Sequence, residues 1–169
     1  SEALSGGERP STDHRCVSVR PSSAQRRPAY GSRMATWLLK TEPDCYNWEQ
    51  MERDTRTHWD GVSNAAAQKH MRDIRVGDEA YFYHTGDERA IVGLCRVVRG
   101  PYADPEVPGT TAAGDPKGVL IDVAPIGRAP TPVTLGAIKA DPRFAEFLLV
   151  KISRLGVLPV PPAMDRALR

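Results

Sequence analysis

Four segments of this 169-residue chain concentrate aromatic, amide, hydroxyl and cationic side chains at predicted strand ends and turns. They are residues 37–43, 59–64, 81–85 and 152–155. Aromatic rings stack on nucleobases, and an amide offers both a donor and an acceptor to a base edge. Lysine and arginine can contact the flanking phosphates. These residue types indicate a site that binds a base.

Catalytic patterns are not visible in the same sequence. It has no glycine-rich phosphate motif, no G-x-S-x-G, no carboxylate pair and no nucleophile beside a base. Cys45 and Cys95 have no evident activating neighbour. The three cysteines are far apart and the four histidines lack ligand spacing, so we expect no metal, no cofactor and no enzymatic activity. Reduced thiols favour a cytoplasmic protein, or a nuclear one in a eukaryote.

The charge is distributed unevenly along the chain. Residues 1–33 carry six arginines and three acidic residues, whereas residues 34–169 carry 17 basic and 18 acidic residues. A protein that covers duplex phosphates needs a clear excess of positive charge. If the nearly neutral part binds nucleic acid, a pocket must therefore supply much of the selectivity. No apolar run reaches the roughly 18 residues of a membrane span, so we expect no membrane partner.

The first 33 residues lack any hydrophobic periodicity and are rich in Ser, Arg, Pro and Gly. Such a segment buries too little apolar surface to offset its ordering entropy, so we predict a disordered tail over 1–33. Either it is a non-native extension before an initiator Met34, or it is an arginine-bearing arm that helps to hold phosphate. We predict one folded domain over residues 34–169.

Hydrophobic patterning and turn signals predict an α/β (α+β) domain with a small curled sheet or open β-barrel flanked by short helices. Ser63 is the predicted cap of the second helix, residues 85–89 form a hairpin turn, and residues 100–117 form a long loop. The predicted strands are residues 36–40, 79–84, 90–98, 118–126 and 148–152. The predicted helices are residues 48–53, 64–72, 134–139, 142–147 and 162–168.

Seven short motifs in register resemble the EVE domain, a PUA-like family related to the YTH domain. They cover nearly all of residues 35–169. The motifs are W-L-L-K-T-E-P at 37–43, W-D-G-V-S-N at 59–64, V-G-D at 76–78 with F-Y-H-T at 82–85, I-V-G at 91–93, I-D-V at 121–123, P-V-T-L at 132–135 and R-L-G-V at 154–157.

The resemblance implies a PUA-like barrel with a pocket for one flipped, modified base in DNA or RNA. Lys40 and Arg154 would contact flanking phosphates, and the amide of Asn64 would pair with the base edge. The implied pocket residues are Trp37, Lys40, Thr41, Asn64, Tyr83, His84, Thr85, Ser153, Arg154 and Leu155.

The segment after the W-D-G motif departs from the family pattern. Ser63 stands where arginine is usual, and Ala65 to Gln68 replace a Tyr-Gln-Ala-Arg stretch. These differences concern the ligand rather than the fold. Two other functions stay open at this point: a PUA-like RNA binder that requires no modification, and a protein-interaction adaptor that works through the proline-rich loop and the tail.

Overall fold

The computed structural model describes residues 34–169, and the predicted tail lies outside the described residues. In chain order the elements are β1 (Thr36–Thr41), α1 (Trp48–Asp54), β2 (Thr57–Trp59), α2 (Ala65–Asp73), β3 (Glu79–His84), β4 (Ala90–Ala103), β5 (Val119–Thr134), α3 (Leu135–Ala140), a 3₁₀ helix (Pro142–Phe144), α4 (Leu148–Lys151), β6 (Val157–Val160) and α5 (Pro162–Leu168).

The six strands form one mixed sheet in the order β2-β5-β4-β3-β1-β6. β1 runs parallel to β3, and the other neighbouring pairs are antiparallel. Over the described residues the sheet stays open, because β2 and β6 each pair on one side only. Between β4 and β5 the register shifts at four places, and such irregularities bend and twist a sheet. The predicted α+β class, with an open sheet and short flanking helices, is confirmed.

Phe82 of β3 lies at the centre of an aromatic cluster in the core. Its ring meets the rings of Trp48 and Trp59 edge-on, at centroid distances of 5.3 and 5.5 Å. Edge-to-face pairs of this kind contribute about 0.5–1.5 kcal/mol each beyond the buried area. Trp48 also packs directly over Gly93, where an added Cβ would lie 2.5 Å from the indole ring. This close approach ties α1 to the middle of the sheet.

The predicted strand over residues 148–152 is wrong, because this segment forms the helix α4. The amide groups of Val150 and Lys151 both donate to the carbonyl oxygen of Phe147, at 2.9 and 3.1 Å. The predicted helix over residues 142–147 is also wrong in extent, because a 3₁₀ helix ends at Phe144. A short apolar run does not by its periodicity distinguish a buried strand from a buried helix.

Two further details differ from the sequence-based expectations. Asn64, not Ser63, caps α2, and its side-chain oxygen accepts from the amides of Ala66 and Ala67. The predicted loop over residues 100–117 is shorter, because β4 continues to Ala103. β2 and β6 were not predicted, since each has only three or four residues.

Candidate nucleic-acid interface

The carboxyl ends of β1 and β3 lie side by side, since the two strands are parallel neighbours. Lys40 is the register partner of Tyr83, and Thr41 is the partner of His84. The Thr85 amide extends this pairing by donating to the Thr41 carbonyl oxygen at 2.9 Å. Five of the predicted site residues therefore meet at one edge of the sheet.

Lys40 connects this edge to the turn that contains Ser153 and Arg154. Its ammonium donates to the Ser153 carbonyl oxygen at 3.0 Å, and its backbone amide donates to the Gly156 carbonyl oxygen at 2.9 Å. The ammonium also lies 5.8 Å from the centre of the Tyr83 ring. Partial burial lowers the pKa of Lys40. Lys40 thus holds the turn at two points, whereas the side chains of Ser153 and Arg154 are exposed.

Tyr83 and Leu155 form the buried floor of this edge, and each exposes only 3% of its surface. Burial raises the pKa of the Tyr83 hydroxyl, and the nearby positive charge of Arg89 acts in the opposite direction. The Tyr83 ring is therefore a packed surface beneath the site rather than an open face on which a base can stack.

His84 uses both ring nitrogens within the fold. Nε2 accepts from the backbone amide of Trp48 at 3.1 Å, and Nδ1 lies 2.8 Å from a carboxylate oxygen of Glu88. Because Nε2 must be an acceptor for a backbone N–H, we assign the proton to Nδ1, which donates to Glu88. His84 consequently fixes the beginning of α1 against the end of β3.

Hydroxyl groups surround the same edge. Thr41 Oγ1 donates to the Tyr46 carbonyl oxygen at 3.0 Å, and Thr85 Oγ1 lies 3.4 Å from the Thr41 carbonyl oxygen. A hydroxyl that donates its proton keeps lone pairs that can accept. These two threonines therefore hold the 41–46 loop in place and still present acceptors at the edge of the sheet.

Trp37 lies three residues before Lys40 on β1, and the structure does not bring it to this edge. It exposes 7% of its surface, and its indole N–H donates to Asp78 at 3.0 Å. Its ring lies 6.1 Å from that of His70 on α2. Trp37 belongs to the packing between the sheet and α2.

Asn64 is exposed at the beginning of α2. Its side-chain oxygen accepts from Ala66 and Ala67 at 2.9 and 3.1 Å, which occupies both lone pairs. None of its hydrogen bonds within residues 34–169 reaches the ends of β1 and β3. The NH₂ group of this side chain can still donate a hydrogen bond to a ligand, but it cannot accept one.

Sequence reasoning did not include Tyr46 or Arg89 among the site residues. The Tyr46 ring contacts those of Trp59 and Phe82 at 6.5 and 6.3 Å and keeps part of its surface exposed beside Thr41. The sequence did contain a signal for Tyr46, since it is an aromatic residue in the loop that follows β1, five residues after Thr41. Arg89 lies in the turn between β3 and β4. The sequence carries no signal for it, because arginine is common on protein surfaces.

Within residues 34–169, no group of three or more His, Cys, Asp or Glu side chains is arranged to hold a metal ion. None of the helices in that range is long and apolar enough to cross a membrane.

A family model for the EVE domain matches residues 35–168. The chain is 30% identical over 107 residues to thymocyte nuclear protein 1 from Homo sapiens, in an alignment that covers 52% of this chain and 48% of that protein. The corresponding protein of Mus musculus gives 30% identity over the same length. The chain thus spans about half the length of the curated relatives it matches.

Solved structures share the fold. Rpa0253 from Rhodopseudomonas palustris has 38% identity and a TM-score of 0.71, covering 79% of this chain and 90% of that one. Human THYN1 in complex with DNA containing 5-methylcytosine has a TM-score of 0.72 and 23% identity, covering 79% and 95%. An identity of 23% shows that the fold is shared, and it shows nothing further about this chain. The family model spans nearly all of the described domain, and the chain therefore belongs to the EVE domain family.

Proposed function

We propose that residues 34–169 form a non-enzymatic module that binds nucleic acid and holds one modified base. The observation that carries this proposal is the group of side chains at the carboxyl ends of β1 and β3. Two threonines, Thr41 and Thr85, lie at these ends, and Lys40 holds the exposed turn with Ser153 and Arg154 beside them. Beneath these groups, Tyr83 and Leu155 form a buried floor.

The available hydrogen-bonding groups suit a base edge next to a phosphate. Arg154 is exposed and offers a guanidinium, which recognises phosphate oxygens. Ser153 and the two threonines add hydroxyl groups that accept or donate. Since the Lys40 ammonium already donates to Ser153, we assign Lys40 to positioning the turn and Arg154 to contact with the backbone.

Tyr46 supplies the aromatic surface in this proposal. Tyr83 and Trp37 are buried, whereas Tyr46 is partly exposed and braced by Trp59 and Phe82. Extruding a base costs a few kcal/mol, and stacking on an aromatic ring returns about 1–3 kcal/mol. Asn64 contributes its amide NH₂, and Trp37 supports β1 from within the core.

Relatives support the choice of ligand. Human THYN1 has been solved in complex with DNA containing 5-methylcytosine, and thymocyte nuclear protein 1 from the same organism is 30% identical to this chain over 107 residues. The near-neutral charge of residues 34–169 also favours recognition of one base over binding along many phosphates.

A titration of fluorescently labelled single-stranded oligonucleotides tests the proposal. Oligonucleotides with one 5-methylcytosine or 5-hydroxymethylcytosine are compared with unmarked controls by anisotropy at several salt concentrations. We expect tighter binding of a marked oligonucleotide, and we expect Tyr46→Ala to reduce that preference. Equal binding of all oligonucleotides with a steep salt dependence would instead indicate an RNA- or DNA-binding module without a modification requirement.

A further inference from the structure

A shallow groove of about 330 Å³ opens beside the proposed site. One wall is the β3–β4 turn at residues 87–89, and the other is the beginning of α3 with Lys139. One contact joins the groove to the site, since Glu88 in the turn accepts from His84. The two walls are joined to each other, because the Leu135 amide donates to the Arg89 carbonyl oxygen at 2.7 Å. The groove is therefore a direct continuation of the edge formed by β1 and β3.

Arg89 has an unusual backbone conformation for its residue type. Its φ is 43°, in the left-handed region that favours glycine. In that region the Cβ atom of an L-residue lies too close to the following carbonyl oxygen, which disfavours the conformation. The hydrogen bond from Leu135 and a bond from Arg89 Nε to the Gly86 carbonyl oxygen at 3.0 Å hold the conformation. Glycine would adopt this φ without the steric penalty, so the backbone conformation does not account for an arginine at this position.

The guanidinium of Arg89 retains donors for a ligand. Within residues 34–169 its Nε bonds to Gly86, and its two terminal nitrogens make no hydrogen bond. Lys139 places a second cation on the opposite wall. Of the two carboxylates in the groove, that of Glu88 is engaged by His84, and that of Asp87 stays exposed. The groove thus offers a cation on each wall, and the two carboxylates balance their charge, because a neutral His84 does not cancel the charge of Glu88. What a phosphate would meet here is the free donors of Arg89 rather than a net positive charge.

We propose that Arg89 contacts a backbone phosphate of the bound nucleic acid, and that the groove between the β3–β4 turn and α3 holds the nucleotide next to the recognised base. This inference rests on the proposed function, because it requires a strand anchored at the adjacent edge. It assigns to Arg89 the phosphate contact on one side of the base, with Arg154 on the other.

Three substitutions at one position separate the phosphate contact from any effect on folding. Arg89→Gln removes the charge, Arg89→Lys keeps it, and Arg89→Gly removes it while relieving the left-handed strain. Arg166→Gln on α5 is the matched control, because α5 packs against the opposite end of β3 through the hydrogen bond from Tyr81 to Asp165. Binding of a marked single-stranded oligonucleotide is measured by anisotropy between 50 and 300 mM salt (about a sixfold range), with Tm recorded for each variant.

We expect Arg89→Gln and Arg89→Gly to weaken binding several-fold at low salt and to reduce the log–log salt slope by about 0.7, the value for one lost phosphate contact on a single strand. Arg89→Gly should retain or raise the Tm, so that the loss of affinity is not a loss of folding. Arg89→Lys should keep the wild-type slope, and Arg166→Gln should change neither quantity.

An unchanged affinity and slope in Arg89→Gln, with wild-type binding intact, would overturn this inference and leave the proposed function standing. Equal losses in Arg89→Lys and Arg89→Gln would also overturn it, since a phosphate contact depends on the charge. A wild-type protein that binds no oligonucleotide would overturn both proposals.

Discussion

The ammonium group of Lys40 lies 3.0 Å from the carbonyl oxygen of Ser153. The two residues are 113 positions apart in the chain, and the backbone amide of Lys40 bonds to Gly156 in the same turn. One residue of β1 therefore determines where the exposed Ser153 and Arg154 side chains stand relative to the ends of β1 and β3.

Replacing Lys40 by methionine should loosen that turn. Without the bond to Ser153, we expect faster amide hydrogen exchange at residues 153–156 and weaker oligonucleotide binding, because Arg154 is no longer held in place. The salt slope should change less than in Arg154→Gln, since Lys40 positions the turn and Arg154 contacts phosphate. A slope reduced equally in both variants would show that Lys40 itself contacts the backbone.

Asn64 allows capping and ligand contact to be tested separately. Asn64→Asp keeps a good N-cap, whereas Asn64→Ala should lower the free energy of unfolding by about 1 kcal/mol. Asn64→Asp also removes the amide NH₂, so we expect it to weaken binding without lowering Tm. Asn64→Ser also caps the helix and lacks the NH₂ group, but it adds no charge. It therefore controls for repulsion between the new carboxylate of Asn64→Asp and the nucleic acid. Wild-type affinity in both capping variants would remove Asn64 from the proposed site.

Trp37→Phe should affect folding and leave binding intact. The change removes the indole N–H that donates to the fully buried Asp78, which keeps the amides of Ala35 and Arg75 as donors. Losing one hydrogen bond to a carboxylate costs about 1.5–3 kcal/mol. Chemical denaturation measures this cost, and anisotropy measures the affinity. Because Trp37 lies in the packing between the sheet and α2, a large loss of affinity at unchanged stability would contradict its placement outside the site.

The thiol of Cys95 should resist alkylation in the folded protein. Burial, with a smaller contribution from the charge of Glu79, raises the pKa of Cys95 from 9.0 to about 12. In a Cys16→Ser background, mass spectrometry after iodoacetamide treatment at pH 8 should show one modified residue, the exposed Cys45. Cys95 should react only after unfolding, and its rapid modification under native conditions would contradict the packing described.

The raised pKa of Cys95 also predicts that the free energy of unfolding falls at alkaline pH. The folded-state pKa lies above that of the unfolded chain, so the thiol of Cys95 contributes stability that is fully present below about pH 9. That contribution is lost as the pH rises towards about 12. Wild type should therefore lose stability relative to Cys95→Ala over this interval, and parallel pH profiles would count against the shift.

The four longer strands (β1, β3, β4 and β5) and most helices were predictable because strong patterns specify them. The aromatic and β-branched runs of β3 and β4 alternate or are continuous between clear turns, and Pro162 with Thr134 identifies the beginnings of α5 and α3. α4 was not predictable, since an apolar run as short as its four residues carries too little periodicity to separate helix from strand.

The sequence predicted which of the site residues lie close together better than it predicted the partner of each side chain. The motifs place Lys40, Thr41, Tyr83 and Thr85 at strand ends. The parallel pairing of β1 with β3, continued by the hydrogen bond from the Thr85 amide to Thr41, aligns them at one edge. Roles depend on partners that are distant in sequence. The indole N–H of Trp37 donates to Asp78, 41 residues away, and the Lys40 ammonium donates to Ser153, 113 residues away. No local pattern contains that information.

An NMR titration of the ¹⁵N-labelled protein with a short single-stranded oligonucleotide that contains one 5-methylcytosine tests directly whether the ends of β1 and β3 bind a modified base. We expect the largest amide shifts at residues 40–46, 83–89 and 153–156, and smaller shifts with the unmethylated oligonucleotide. Shifts concentrated on α5, or a spectrum unchanged by either oligonucleotide, would contradict this prediction.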